Sequence, residues 1–311
     1  MTHAERDAPL ASIGLPTYNR VDRLQHAVAS VLAQDYPNIE LVISDNASTD
    51  ETREWCEDLS RRDSRVRYIR QQTNIGLTAN YAAVFWEARG AFYMAFADDD
   101  RLDPSYVSQC VQALIDHPDY ANVSGKVRMF REQDYLFDGR GDSALQESGE
   151  DRIVHYLRRV VENGAIYGVM RRETVATVPP MPNIMAGDWL YISSIAFKGK
   201  LRTLDSVGVN RAAGGTSATW EAQARAYNLP SYIARLRGLP YLVIMWSVFK
   251  DIGWESPVYR PLGRLGRLVL AFRAVRVVVI KFSILIAGII ASHFHERWRL
   301  IVTRLMQARL R

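Results

Sequence analysis

Cysteine is nearly absent: Cys56 and Cys110, 54 positions apart, are the only two in 311 residues. Two isolated thiols exclude a disulfide framework and a cysteine zinc site, and they fit a reducing compartment. Met1 to Leu10 holds no apolar stretch of the kind that forms a secretory signal, so export is not expected. No repeat of solenoid period is present. No Gly-x-Gly-x-x-Gly follows the first strand-like run, which disfavours a dinucleotide oxidoreductase. His26, His117, His155, His293 and His295 have no metal-type spacing with acids. Hydrophobic residues make up 48% and charged residues 23%, so disordered and collagen-like classes are excluded.

The net charge of +5 hides an asymmetry. Residues 1–200 hold 22 basic and 29 acidic residues, whereas residues 201–311 hold 17 and 5. A basic tail points to nucleic acid or an anionic membrane surface. The apolar content of the tail decides against nucleic acid. Tyr241 to Phe249 is uncharged, and Val277 to Phe294 is interrupted only by Lys281 among charged residues. Arg264, Arg267, Arg273 and Arg276 lie just upstream. Such a segment suits the membrane interface, with arginines reaching headgroups. The competing reading is a core helix of a second domain. His293 and His295 would mark a membrane boundary.

The first 130 residues alternate between two periods. Ala11–Leu15, Ile39–Ile43, Val66–Ile69 and Ala91–Ala97 read as strands. Val21–Leu32 and Thr78–Ala88 read as helices, the second stopping at Gly90. A third helix is expected over Asp50–Leu59, capped by Ser48 or Thr49. This order predicts a mainly parallel α/β sheet covered on both faces. In such sheets ligands bind beyond the carboxyl ends of the strands. Thr17-Tyr18-Asn19-Arg20, Asp45-Asn46 and Asp98-Asp99-Asp100 all fall there. Met129–Glu150 reads as a mobile polar loop, Asp188–Phe197 as a helix, and Leu201–Val207 as a strand.

Three consecutive aspartates repel one another unless a cation neutralises them. Oxygen ligands suit Mg²⁺ or Mn²⁺, which commonly bridge to phosphates. The bland alternative is a solvated turn, with Asp103 capping the next helix.

Ser12-Ile13-Gly14-Leu15-Pro16-Thr17-Tyr18-Asn19-Arg20, Leu41–Asp50, Asn74-Ile75-Gly76 with Asn80, and Phe96–Asp100 stand in the order found in one family. Over residues 10 to about 218 the chain resembles the inverting family-2 glycosyltransferases of GT-A fold. The resemblance implies a GT-A domain at 1–218, followed by a helical, membrane-associated region at 219–311. It implies a nucleotide-diphosphate sugar held by Pro16, Thr17, Asn19, Arg20, Asp45, Asn74, Gly76, Asn80, Asp98 and Arg211. Asp45 would contact the base. Asp99 and Asp100 would hold a divalent metal. The family's usual first acid falls on Ala97, and Ala79 stands where an arginine is common. Ala213 stands near a usual histidine, which removes a third metal ligand. Asp188 would be the catalytic base, although an aspartate there also suits a helix cap. Trp189 would stack on an acceptor sugar or pack in the core. Gly214-Gly215 would form a loop over the donor. The implied reaction is transfer with inversion onto a lipid-linked saccharide in cell-envelope polysaccharide synthesis, at the cytoplasmic membrane face. A soluble-acceptor transferase, a nucleotidyltransferase and a non-catalytic binding module are the alternatives.

Overall fold

The computed structural model describes residues 8–131, 134–141, 143–213 and 240–283. Its first half alternates strand and helix. β1 (Ala11–Thr17) leads to α1 (Val21–Leu32), β2 (Ile39–Asp45) to α2 (Thr52–Arg62), and β3 (Val66–Arg70) to α3 (Leu77–Glu87). β4 (Phe92–Ala95) follows and ends at the aspartates. β1 and β2 are buried at every position, as strands covered on both faces must be. Leu24, Ala27, Val28 and Val31 form the buried stripe of α1. Gly14 lets α3 lie close to β1, because a Cβ there would sit 2.7 Å from the Val84 side chain.

The second half is β5 (Arg101–Leu102), α4 (Tyr106–Asp116), β6 (Tyr120–Arg131), β7 (Asp134–Asp138) and α5 (Gly149–Arg159). A 3₁₀ turn (Gly164–Tyr167), β8 (Val169–Arg171), α6 (Arg172–Ala176), α7 (Gly187–Lys198) and β9 (Lys200–Ala212) complete it. All strands join one sheet in the order β3-β2-β1-β4-β8-β6-β9-β5, with β7 on β6. β8 is antiparallel to both neighbours, and β9 runs parallel to β6. The sheet is therefore mixed and mostly parallel.

Three local expectations are corrected. Within the expected loop over Met129–Glu150, Met129–Arg131 ends a twelve-residue strand and Asp134–Asp138 pairs back on it as β7, so the loop is confined to the segment between β7 and α5. Every residue of β7 is exposed, so no hydrophobic alternation marked it. α2 begins at Thr52, later than expected, because Asp50 Oδ1 accepts from the Thr52 amide and hydroxyl. Ser48 and Thr49 instead bind Asn19. Asp103 does not cap α4; its carboxylate takes Arg128 and the Gly208 amide, each at 2.8 Å.

The basic tail contributes α8 (Pro240–Lys250), a π turn (Asp251–Glu255), a 3₁₀ segment (Pro257–Leu262) and a helix, α9, over 263–283. Val248, Ile252, Tyr259, Leu270, Ala274 and Val278 lie in one buried cluster with Ile153, Tyr156 and Leu190 of the preceding region. At about 1.5–3 kcal/mol for each large apolar side chain, this burial is comparable to a whole domain's net stability of about 5–15 kcal/mol. The core-helix reading therefore holds for α8 and for α9 as far as Ser283. The expected boundary at 218/219, Gly214-Gly215, residues 284–294 of the long apolar run, His293 and His295 lie outside the described residues. Among the described residues, no helix is long and apolar enough to cross a membrane.

Asp251 lies beneath this packing, with Oδ2 sealed from solvent and without a hydrogen-bond partner. Burial, then Glu255, pushes its carboxyl up to about 7 from an ordinary 3.8, against the opposing pull of Arg267. Between those values the folded state binds the extra proton, so stability falls as pH rises through the window. Asp251→Asn is expected to be near neutral at pH 4 and to stabilise by about 1–3 kcal/mol at pH 8. Urea midpoints at the two pH values check this; equal effects at both would contradict it.

Candidate active site

Successive strand ends build a cavity of about 900 Å³ at the carboxyl edge of the sheet. Pro16, Thr17 and Arg20 enter it from β1, Asn74, Gly76 and Asn80 from the start of α3, and Asp98–Asp100 from β4. Arg211 comes from β9 and Asp188 from α7. Eleven expected residues thus meet in one place.

The triplet is unevenly neutralised. Asp98 accepts from Thr17 Oγ1 at 2.8 Å and Arg20 Nη1 at 3.1 Å. Burial, despite Arg20, keeps its carboxyl above the usual range. Asp99 pairs with Arg20 at 3.3 Å and Arg23 at 3.5 Å. Asp100 is 2% exposed, and its Oδ1 accepts from the Ala212 amide at 3.1 Å. Its Oδ2 is buried with no hydrogen-bond partner. Burial, and then Asp99, pushes the Asp100 carboxyl up to about 6. A sealed, unpaired oxygen of this kind fits a hard cation, with substrate phosphates completing its shell. Among the described residues, no three His, Cys, Asp or Glu side chains converge to hold a metal alone. Ala213, near which the family often carries a histidine, donates its amide to Phe130 O.

Across the cavity, Asp188 lies in the first turn of α7. The residue at the cap position is Ala186, left-handed at φ 57°, so Asp188 does not cap the helix. Gly187 permits this turn, since a Cβ there would meet Pro182 O at 2.1 Å. Asp188 Oδ2 accepts from Asn163 Nδ2 at 2.6 Å, and Tyr156 OH donates to Asn163 Oδ1 at 2.8 Å. Burial holds the Asp188 carboxyl above the usual range, against the pull of Asn163, the Trp189 amide and Arg211. Arg211 donates to Glu162 O at 2.8 Å and lies 5.8 Å over the Tyr167 ring.

Asn19 and Asp45 are not on the cavity wall. Asn19, left-handed at φ 52°, latches the β1 and β2 loops through the Thr49 amide at 2.7 Å. Asp45 is fully buried, and its oxygens accept from Arg70 at 2.7 Å, Tyr68 at 2.9 Å and the Ser48 amide at 2.8 Å. Asn46 takes the wall position next to it, bonding Asn74 at 2.9 Å and the Ile75 amide at 2.8 Å. Asn80 closes this corner, exchanging bonds with Ser44 Oγ at 2.6 Å and Ser44 O at 2.9 Å.

Sequence reasoning missed Asn163, whose only local signal is an Asn-Gly pair, and missed the tail's share of the wall. Ile244 and Phe282 line the cavity. Phe282 stacks on Trp189 at 6.4 Å, and Lys281 Nζ lies 4.2 Å from the same ring. Trp189 is therefore a packed wall residue.

With this geometry in place, comparison with known proteins is decisive for the class. The model of glycosyl transferase family 2 matches residues 12–170, and the chain belongs to that family. A GalNAc(5)-diNAcBac-PP-undecaprenol beta-1,3-glucosyltransferase of Campylobacter jejuni is 30% identical over 136 residues. That match spans 43% of this chain and 43% of the relative's length. Glycosyltransferase GlyG of Streptococcus pneumoniae is 25% identical over 283 residues, 88% of this chain and 85% of that protein. The fold matches the mannosyltransferase PcManGT of Pyrobaculum calidifontis, solved with GDP-Man and Mn2+. The TM-score is 0.53 at 16% identity, over 89% of this chain and 88% of that one. These likenesses establish the GT-A fold.

Asp45 gives a test of the nucleotide side. Arg70→Met removes the cationic partner of a fully buried carboxylate and should lower the urea midpoint of unfolding. An unchanged midpoint would mean that Asp45 is hydrated and available to a ligand.

Proposed function

We propose that the chain transfers a sugar from a nucleotide-diphosphate donor to a saccharide hydroxyl, with inversion. The observation that carries this reading is one cavity with two unlike walls. One presents Arg20, Arg211 and the aspartates, suited to a diphosphate. The other presents Asp188, a carboxyl of raised proton affinity held by Asn163.

In this reading the acceptor oxygen attacks the anomeric carbon while Asp188 takes its proton. The bond from that carbon to the diphosphate oxygen breaks, and the electron pair leaves with the nucleotide. A base held above the ordinary carboxylate range is closer to the operating pH, where general-base efficiency is greatest. Arg211 is placed to meet the leaving charge with a forked contact. Asp100, with Asp99 beside it, would hold a Mn²⁺ or Mg²⁺ ion, which when bound supplies charge neutralisation on the diphosphate. Thr17 and Arg20 fix Asp98. Pro16, Asn74, Gly76 and Asn80 shape the nucleotide end.

The acceptor is proposed to be a lipid-linked saccharide of cell-envelope synthesis, as the name of the Campylobacter relative indicates for that protein. The surface of the tail agrees with a membrane-facing location. Leu265, Phe272, Trp246 and Trp254 are exposed, with Arg264 and Arg276 beside them on α9. Aromatic and arginine side chains of this kind suit the cytoplasmic membrane interface.

Asp188→Asn should preserve folding and donor-induced thermal stabilisation while lowering kcat by about 10²–10⁴. EDTA should stop wild-type turnover, and Mn²⁺ or Mg²⁺ should restore it. Wild-type rates in the variant would remove Asp188 from the chemistry, and full activity in EDTA would remove the metal.

The membrane reading is tested by flotation of full-length protein with phosphatidylglycerol-containing vesicles. Co-flotation should survive high salt and be abolished by detergent, because salt screens only the arginine term. Protein left at the bottom of the gradient would sink this localisation.

A further inference from the structure

A second depression of about 400 Å³ lies where the loop before α5, α5 itself and the first residues of β9 converge. It is separate from the catalytic cavity. Thr203 at its wall and Arg211 at the active site stand opposite Ser124 and Met129 of β6, five residues and about 17 Å apart at the usual strand rise. Nothing in the transfer reaction uses it.

Its lining is unusually basic. Arg140 comes from the loop, Arg159 from α5 and Arg202 from β9. None of the three forms a salt bridge among the described residues, although Arg202 lies close enough to Asp205 to help lower its carboxyl. His155, one turn before Arg159, also lines the depression; burial and then Arg159 and Arg158 depress its proton affinity, so it adds a neutral imidazole and not a further charge. Asp205 also lines the depression, but its carboxylate is taken by Lys126 at 2.9 Å. Beneath the loop lies a further cation. Arg152 is buried and bonds four backbone carbonyls, those of Ala196, Gln146, Glu147 and Phe197, with no carboxylate in contact. Gathering like charges raises the local potential and costs stability unless an anion answers them.

Two polar features narrow the ligand beyond a bare anion. Gln146 Oε1 is sealed from solvent and has no hydrogen-bond partner, so it seeks a donor such as a sugar hydroxyl. Ser143 Oγ already accepts from the Thr203 amide at 2.8 Å, which leaves its own O–H to donate. Gly141, at φ 76°, brings the loop against Thr203, where a Cβ would sit 2.9 Å from the methyl group. The loop is thus seated on β9 and carries Arg140 and Ser143 to the site.

We propose that this depression is a second binding site, for an acidic sugar residue bearing a phosphate or a carboxylate. The arginines take the acidic group, and Gln146 and Ser143 take ring hydroxyls. The proposal stands independently of the transfer reaction.

The test is calorimetric titration of full-length protein with glucose 1-phosphate and glucuronic acid, against glucose and inorganic phosphate. Both acidic sugars should bind at least tenfold more tightly than either control. The Arg159→Gln/Arg202→Gln double variant should lose about tenfold or more, one to two charge-assisted contacts' worth. Neither arginine side chain makes a hydrogen bond or salt bridge among the described residues, so the variant's melting temperature should match wild type. Arg140→Gln, on the loop, is the second variant and should weaken binding in the same direction. Arg211→Gln, in the catalytic cavity, should leave the affinity unchanged. Binding that survives the arginine changes at the depression, or is lost with Arg211→Gln, would assign these ligands to the catalytic cavity and overturn the proposal. Inorganic phosphate binding as tightly as glucose 1-phosphate would overturn the sugar assignment.

Discussion

Everything around the cavity is arranged to hold three adjacent carboxylates at the end of β4. Their mutual repulsion has to be answered from several directions at once. Thr17 and Arg20 arrive from the end of β1, Arg23 from α1, and the Ala212 amide from the end of β9. The residues directly after the triplet supply the geometry. Arg101 and Leu102 form β5, which pairs with Asn210 and Val209 of β9. The strand carrying Arg211 is therefore registered against the segment carrying Asp98–Asp100. Asp100 Oδ2 remains buried without a hydrogen-bond partner of its own, with Arg211 the nearby cation.

The two walls of the cavity have different origins. The donor-facing wall is made from loop residues at strand ends, each locked by side-chain bonds such as Asn80 to Ser44 and Asn46 to Asn74. The opposite wall is helical and apolar, with Ile244 and Phe282 from the basic tail packed beside Trp189. The face of α9 that buries Leu270, Ala274 and Val278 belongs to the core, while Leu265 and Phe272 remain outside. One helix thus links the core, the cavity wall and the exposed apolar surface.

The first half of the fold was legible because its signals are local. β1, α1, β2 and β3 each carry a short apolar run or stripe, bounded by polar strand ends. β7 was not legible, since a fully exposed strand buries nothing to give a period of two. The tail was ambiguous for the opposite reason. A helix apolar on two faces looks alike in a core or at a membrane, and contact with Ile153, Tyr156 and Leu190 places one of its faces in the core. Within the site, position at a strand end located Thr17, Arg20 and Asp98–Asp100. It did not separate Asp45, turned into the fold by Arg70 and Tyr68, from Asn46, which faces the cavity. Asn163 was invisible because its role depends on a long-range contact with Asp188.

The environment of Asp188 sets two effects against each other. The first turn of a helix favours a negative charge, and the Trp189 amide and Asn163 both donate toward the carboxylate. Burial favours the protonated form and is the larger influence. The balance leaves an acid with a raised proton affinity. That balance depends on backbone geometry more than on the aspartate itself. Ala186 must be left-handed and residue 187 must lack a Cβ for the helix to begin where it does. A helix started one residue later would rotate Asp188 by about 100° about its axis, away from Asn163. The Ala186-Gly187 turn therefore fixes the direction in which the carboxyl faces the cavity.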